Sequence, residues 1–101
     1  MGNRAVIRTK NEDGLALYLH WNGSPEDVEV LLKKCEMEGY RSPDFQPSYG
    51  WAWLDKEACD MFGDHGLSVG IDTFKRLGNQ GDNGIYVIEN WKIIDHYGNS
   101  Y

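Results

Sequence analysis

Three histidines, two cysteines and sixteen carboxylates are the groups in this chain with the chemistry for catalysis or metal binding. His20, His65 and His96 could each serve as a base or a metal ligand. None has a second ligand four residues along, and no His-Glu-x-x-His segment occurs. Cys35 and Cys59 belong to no Cys-x-x-Cys pair, which argues against a closed zinc site. Both fall inside expected helices rather than at helix N-termini, so nothing depresses their pKa toward that of a nucleophile. They read as small apolar side chains, reduced in a cytosolic protein; a disulfide would require the two helices to lie side by side. No Gly-x-Ser-x-Gly elbow is present. Carboxylate pairs such as Glu12 with Asp13, or Asp55 with Asp60, are what chance delivers among sixteen acids. The run from Asn79 to Gly84 resembles the start of a calcium loop but lacks the closing glutamate, and reads as a turn. Gly78, Gly81 and Gly84 precede a strand, the wrong side for a phosphate-binding loop. The expectation is no catalytic residue, no metal and no cofactor.

Two regions are better suited to binding. The first is the corner His20-Trp21-Asn22-Gly23-Ser24, where a strand ends just before a helix N-terminus. Free N–H groups at such a corner attract anions, so these five residues form a candidate small-ligand or nucleotide pocket. The second is aromatic and acidic. Trp, Tyr and Phe make up 13% of the chain, and four tryptophans cannot all lie deep in so small a core. Trp21, Trp53 and Trp91 fall near turns or off the main apolar face, the positions from which aromatic residues anchor interfaces. Between residues 42 and 66, Asp44, Asp55, Glu57, Asp60 and Asp64 face only Lys56. Trp53, Asp55, Glu57, Asp60, Asp64 and Trp91 therefore form a candidate surface for a basic partner. Arg4, Arg8 and Lys10 are the one unopposed basic stretch.

The elements that must position these residues follow from periodicity and punctuation. Arg4 to Thr9 and Leu15 to His20 read as two strands around the turn Asn11-Glu12-Asp13-Gly14. Ser24 is a good N-cap, Pro25 suits the first helical position, and the acids Glu26 and Asp27 suit the helix dipole. The helix runs to about Glu38, with Val28, Leu31, Leu32 and Cys35 as its buried stripe and Glu29–Lys33 as an outward pair; Gly39 ends it. Tyr40 to Ser48 reads as a loop. A second helix is expected from Tyr49 or Gly50 to Phe62, burying Trp51, Leu54, Ala58, Met61 and Phe62. Leu67 to Ile71 is a short strand, and Asp72 to Gly81 is irregular. Ile85 to Glu89 and Lys92 to Tyr97 are two strands around a tight reversal at Asn90-Trp91. The order ββααβββ predicts an α+β fold: an antiparallel sheet of about five strands with two helices on one face, in a single domain over residues 1–101.

Composition narrows the function classes. At 101 residues, 41% apolar and 26% charged, the chain has material for one core and is not expected to be disordered. A net charge of -6 argues against direct nucleic-acid binding. No apolar run spans a bilayer, and Met1-Gly2-Asn3-Arg4 has no apolar h-region, so neither a membrane nor a secretory signal is expected. Asn22-Gly23-Ser24 matches a glycosylation acceptor but reads as a turn into the helix.

The segments Met1-Gly2-Asn3-Arg4, Tyr18-Leu19-His20-Trp21-Asn22-Gly23, Ser68-Val69-Gly70-Ile71 and Asp82-Asn83-Gly84-Ile85-Tyr86 resemble blocks of a set of small bacterial and phage proteins. That resemblance implies a mobile-element setting. By analogy with small acidic phage proteins it implies an anti-CRISPR-like inhibitor in the bacterial cytoplasm, bound to a defence protein or nuclease complex. The alternatives are a ligand sponge at the His20–Ser24 corner and a small hydrolase with His20 as base. An unpaired edge strand over Leu67 to Ile71 would also allow a homodimer.

Overall fold

A computed structural model describes residues 3–63 and 66–99, so Asp64 and His65 lie outside the described residues. Elements follow in the order β1 (Ala5–Arg8), β2 (Leu15–Leu19), α1 (Pro25–Met37), α2 (Pro47–Phe62), β3 (Val69–Thr73), α3 (Phe74–Leu77), β4 (Ile85–Glu89) and β5 (Lys92–Tyr97). The strands form one sheet in the order β3-β2-β1-β4-β5. This is an α+β fold, but the sheet is mixed rather than wholly antiparallel. β1 pairs parallel to β4, Ile7 opposite Tyr86, while the other three pairings are antiparallel. The reason lies in β1. All four of its residues are buried, so it must be a central strand with neighbours on both sides. β2 fills one side through the hairpin, and β4 enters the other after the chain has passed through α1, α2 and β3.

Alternation along the strands divides the side chains into two layers. Ala5, Ile7, Leu17, Leu19, Tyr86 and Ile88 join Val28, Leu31 and Leu32 of α1 and Trp51 and Leu54 of α2 in the main core. Val6, Ala16 and Ile85 form a smaller cluster against Tyr18, Phe74 and Leu77. Phe74 and Leu77 belong to the short helix α3, inside the stretch expected to be irregular. Thr73 caps it by accepting from the Arg76 amide.

The helix α1 matches its sequence signals closely. Ser24 Oγ accepts from the Asp27 amide, Pro25 is the first helical residue, and Gly39 follows the helix at φ 77°. Its surface ion pairs differ from expectation: Lys33 reaches Glu36 and Lys34 reaches Glu38, rather than Lys33 reaching Glu29. α2 starts at Pro47, two residues before the earliest expected start, because Pro serves as its first residue and gives up no needed N–H. Met61, expected to be buried, is 38% exposed, and Glu57 takes a buried position on that face instead.

The basic N-terminal stretch does not stand unopposed. Arg4 pairs with Asp82, and Lys10 with Glu89. Arg8 is buried, its guanidinium lying over the rings of Phe74 and Tyr97 while donating to Tyr97 Oη and the Thr9 carbonyl. It fastens α3 and β5 to the centre of the sheet through cation–π contact and hydrogen bonds.

Candidate functional site

The most distinctive surface lies where the loop after α1 meets α2. Tyr40 and Trp53 stack with ring centroids 5.1 Å apart and planes 18° from parallel. Tyr49 stands one helical turn before Trp53, under the guanidinium of Arg41 at 5.5 Å. A cleft of about 260 Å³ opens between Gly39, Tyr40, Arg41, Tyr49 and Trp53. Phe45, 72% exposed, lies in the same loop, while Tyr49 and Trp53 are 54% and 43% exposed. Three large aromatic side chains are thus offered to solvent within one loop and one helix turn.

This surface is held from beneath. Glu57 is buried and accepts a 2.7 Å hydrogen bond from Tyr40 Oη; Lys56 Nζ lies 3.6 Å from the same carboxylate oxygen. That hydrogen bond, with burial and the carboxylate charge, pushes the Tyr40 phenol up to about 12, so it remains a protonated donor throughout the physiological range. The Tyr40 carbonyl accepts from Trp91 Nε1 at 2.7 Å. Asp44 in the loop accepts from the Asn90 amide, which ties the β4–β5 reversal to the same corner.

Of the six residues expected to face a partner, the structure places three on the α2 surface. Trp53 and Asp60 are exposed and Asp55 is half-buried. Asp60 pairs with Lys56, and Cys59 Sγ donates weakly to Asp55. Glu57 and Trp91 are corrections. Glu57 lies three residues from Leu54 and one turn beyond it on the buried stripe, so helical geometry turns it inward to meet Tyr40. Trp91 is 4% exposed in the core, although it sits in a two-residue reversal. Asn90 and Trp91 both adopt positive φ, 51° and 63°, as a hairpin matched to strand twist requires, and the indole folds back beneath α1. Asp64 lies outside the described residues. Sequence reasoning missed Tyr40, Arg41, Phe45 and Tyr49; the signal was their clustering around Pro43 and Pro47, just ahead of Trp53.

The His20–Ser24 corner is built as a joint. Tyr18 Oη lies 2.6 Å from His20 Nδ1, and burial pushes the Tyr18 phenol up. The His20 ring meets Trp21 edge-on at 4.5 Å, and Trp21 is 53% exposed. Asn22 donates to Asp27, Gly23 donates to the Asn3 carbonyl and accepts from Tyr86 Oη, and Ser24 caps α1. The Asn22 and Ser24 side chains, the Gly23 backbone and the Asp27 and Val28 amides are thus engaged within the chain. His96 is stacked at 4.1 Å on Tyr86, the residue that donates to Gly23, and its Nε2 lies against the Asn83 carbonyl.

Both cysteines are free, Cys35 buried and Cys59 exposed. Burial, with a smaller effect from Glu57, pushes the Cys35 thiol up to about 12; burial and Asp55 also raise Cys59. A thiol reagent at neutral pH is expected to modify Cys59 slowly and to reach Cys35 only in denaturant. Equal native rates for the two would contradict this placement. Among the described residues no group of three or more His, Cys, Asp or Glu side chains is arranged to hold a metal ion, and no helix is long and apolar enough to cross a membrane.

Comparison with protein-family models, curated proteins and solved structures returns no match.

Proposed function

We propose that this protein is a non-enzymatic binding module that docks on a basic partner protein through the loop–α2 surface. The observation that carries the reading is the stacked, half-exposed Tyr40–Trp53 pair, fixed from below by buried Glu57. Rigid aromatic side chains lose little entropy on binding and dominate interface energies. Tyr49 and Phe45 extend the apolar contact, and Asp55 and Asp60 lie farther along α2. The net charge of -6 supports steering toward a positively charged target. A nuclease or immune effector of bacterial defence is the partner class implied by the sequence resemblance, making the chain an anti-CRISPR-like inhibitor.

The test is capture from defence-bearing bacteria with tagged wild type and Trp53→Ala, followed by affinity measurement on the recovered partner. Wild type should retain a nuclease or effector at fixed ratio. Trp53→Ala should weaken that complex about 30-fold, as for an anchor worth about 2 kcal/mol, with unchanged circular dichroism. An affinity identical to wild type would sink the assignment of this surface. The ligand-binding alternative has one observation in its favour, exposed Trp21 edge-on to His20; there Trp21→Ala rather than Trp53→Ala would abolish binding.

A further inference from the structure

A second, larger groove of about 830 Å³ opens between α1 and β5, the side of the molecule where β5 forms the outer edge of the sheet. Buried Leu32 and Trp91 and half-buried Ile93 line it. Val30 and Met37 border it from α1 and are 56% and 74% exposed, so the same face carries an apolar hollow and two apolar projections.

The charges around this groove are segregated along the helix. Glu26 and Glu29 border the half nearer the start of α1, whereas Lys33 and Lys34 border the other half, beside Lys92 of β5. At that end Glu36 pairs with Lys33 and Lys92 and Glu38 with Lys34, so three lysines meet two glutamates and one positive charge is left in excess. A uniformly acidic or uniformly basic occupant would meet attraction at one end and repulsion at the other. A second copy turned by a two-fold axis perpendicular to α1 meets attraction at both. Its α1 runs antiparallel, which sets Glu26 and Glu29 of each copy against Lys33 and Lys34 of the other and opposes the helix dipoles.

We propose that this protein forms a symmetric dimer through the α1–β5 face, with Val30 and Met37 of each copy entering the groove of the other. The contact is isologous, the same residues serving as projection and hollow in both copies. It differs from strand addition at the β3 edge. Ile94 forms a bulge between Ile93 and Asp95, opposite Val87 and Ile88 of β4, which breaks the regular ladder along β5 and leaves side chains to make the contact. The loop–α2 surface lies outside the α1–β5 face, so a dimer would offer two copies of it.

Sedimentation equilibrium on the full chain, from about 1 μM to about 1 mM, tests the proposal. Wild type should be dimeric within that range and dissociate more readily in high salt. Glu29→Lys and Lys33→Glu should each weaken the dimer about tenfold or more, because each change places like charges together twice. Combining the two swaps the signs and should restore association. Both positions are exposed, and circular dichroism checks that each variant folds. A wild type that stays monomeric up to about 1 mM overturns the proposal. So does a dimer indifferent to both single reversals, or a double variant that fails to recover.

Discussion

Replacing Trp91 with alanine should lower stability by about 3–5 kcal/mol, the range for deleting a large aromatic side chain from a core. Trp91 is 4% exposed and packs with the core shared by the sheet, α1 and α2. Its loss opens a cavity beneath the α1–β5 groove and leaves the Tyr40 carbonyl without its indole donor. Relief at the positive φ of residue 91 offsets little, since alanine shares most of the tryptophan's strain there. The melting temperature should fall by upwards of roughly 12 °C. The loss should extend to the candidate site, because Trp91 holds the Tyr40 carbonyl while Glu57 holds its phenol. Thermal denaturation with near-ultraviolet circular dichroism reads both effects. A loss below about 1 kcal/mol would show that Trp91 is not a core residue.

Gly50→Ala is expected to be the second large effect, and its sign runs against helix propensity. In an open helix the exchange should stabilise by up to about 1 kcal/mol. At position 50, in α2, a Cβ would meet the backbone nitrogen of Pro43, with the Pro43 Cα and the Ser42 carbonyl carbon each at 2.5 Å. All three are main-chain atoms, and Ser42 also accepts the amides of Phe45 and Gln46. The loop or the helix must move, at an expected net cost of about 2–3 kcal/mol. That movement separates the loop carrying Tyr40 from the helix carrying Trp53. Partner affinity should therefore fall with stability, whereas Trp53→Ala should reduce affinity alone. A melting temperature equal to or above wild type would show that the loop yields freely.

The residues of α1 illustrate what was legible in the sequence. Ser24, Pro25, Asp27 and Gly39 mark its ends, and the spacing of Val28, Leu31, Leu32 and Cys35 marks its buried face; all act over one or two helical turns. The Asn90–Trp91 reversal was legible for the same reason. Glu57 and Trp91 were misread because composition assigns a carboxylate and a turn tryptophan to the surface. Glu57 is brought inside by a phenol seventeen residues away, and Trp91 by a carbonyl fifty-one residues away.

The candidate site divides in the same way. Trp53 and the acids of α2 were visible as a surface because their positions depend on one helix. The stacking of Trp53 on Tyr40, and the cleft shared with Tyr49 and Arg41, depend on how the Gly39–Gln46 loop folds back on α2.

By itself the sequence determined the α+β class, α1 with both its ends, the hairpins, the net acidity and the absence of the familiar catalytic spacings. Each follows from interactions between residues close along the chain, or from composition. Tertiary structure alone decided that β1 would pair parallel with β4, that Arg8 would be buried between Phe74 and Tyr97, and which aromatic side chains would remain outside. Those outcomes depend on which distant segment buries the most apolar surface against a strand while leaving no buried polar group without a partner, a competition among long-range contacts that no local spacing records.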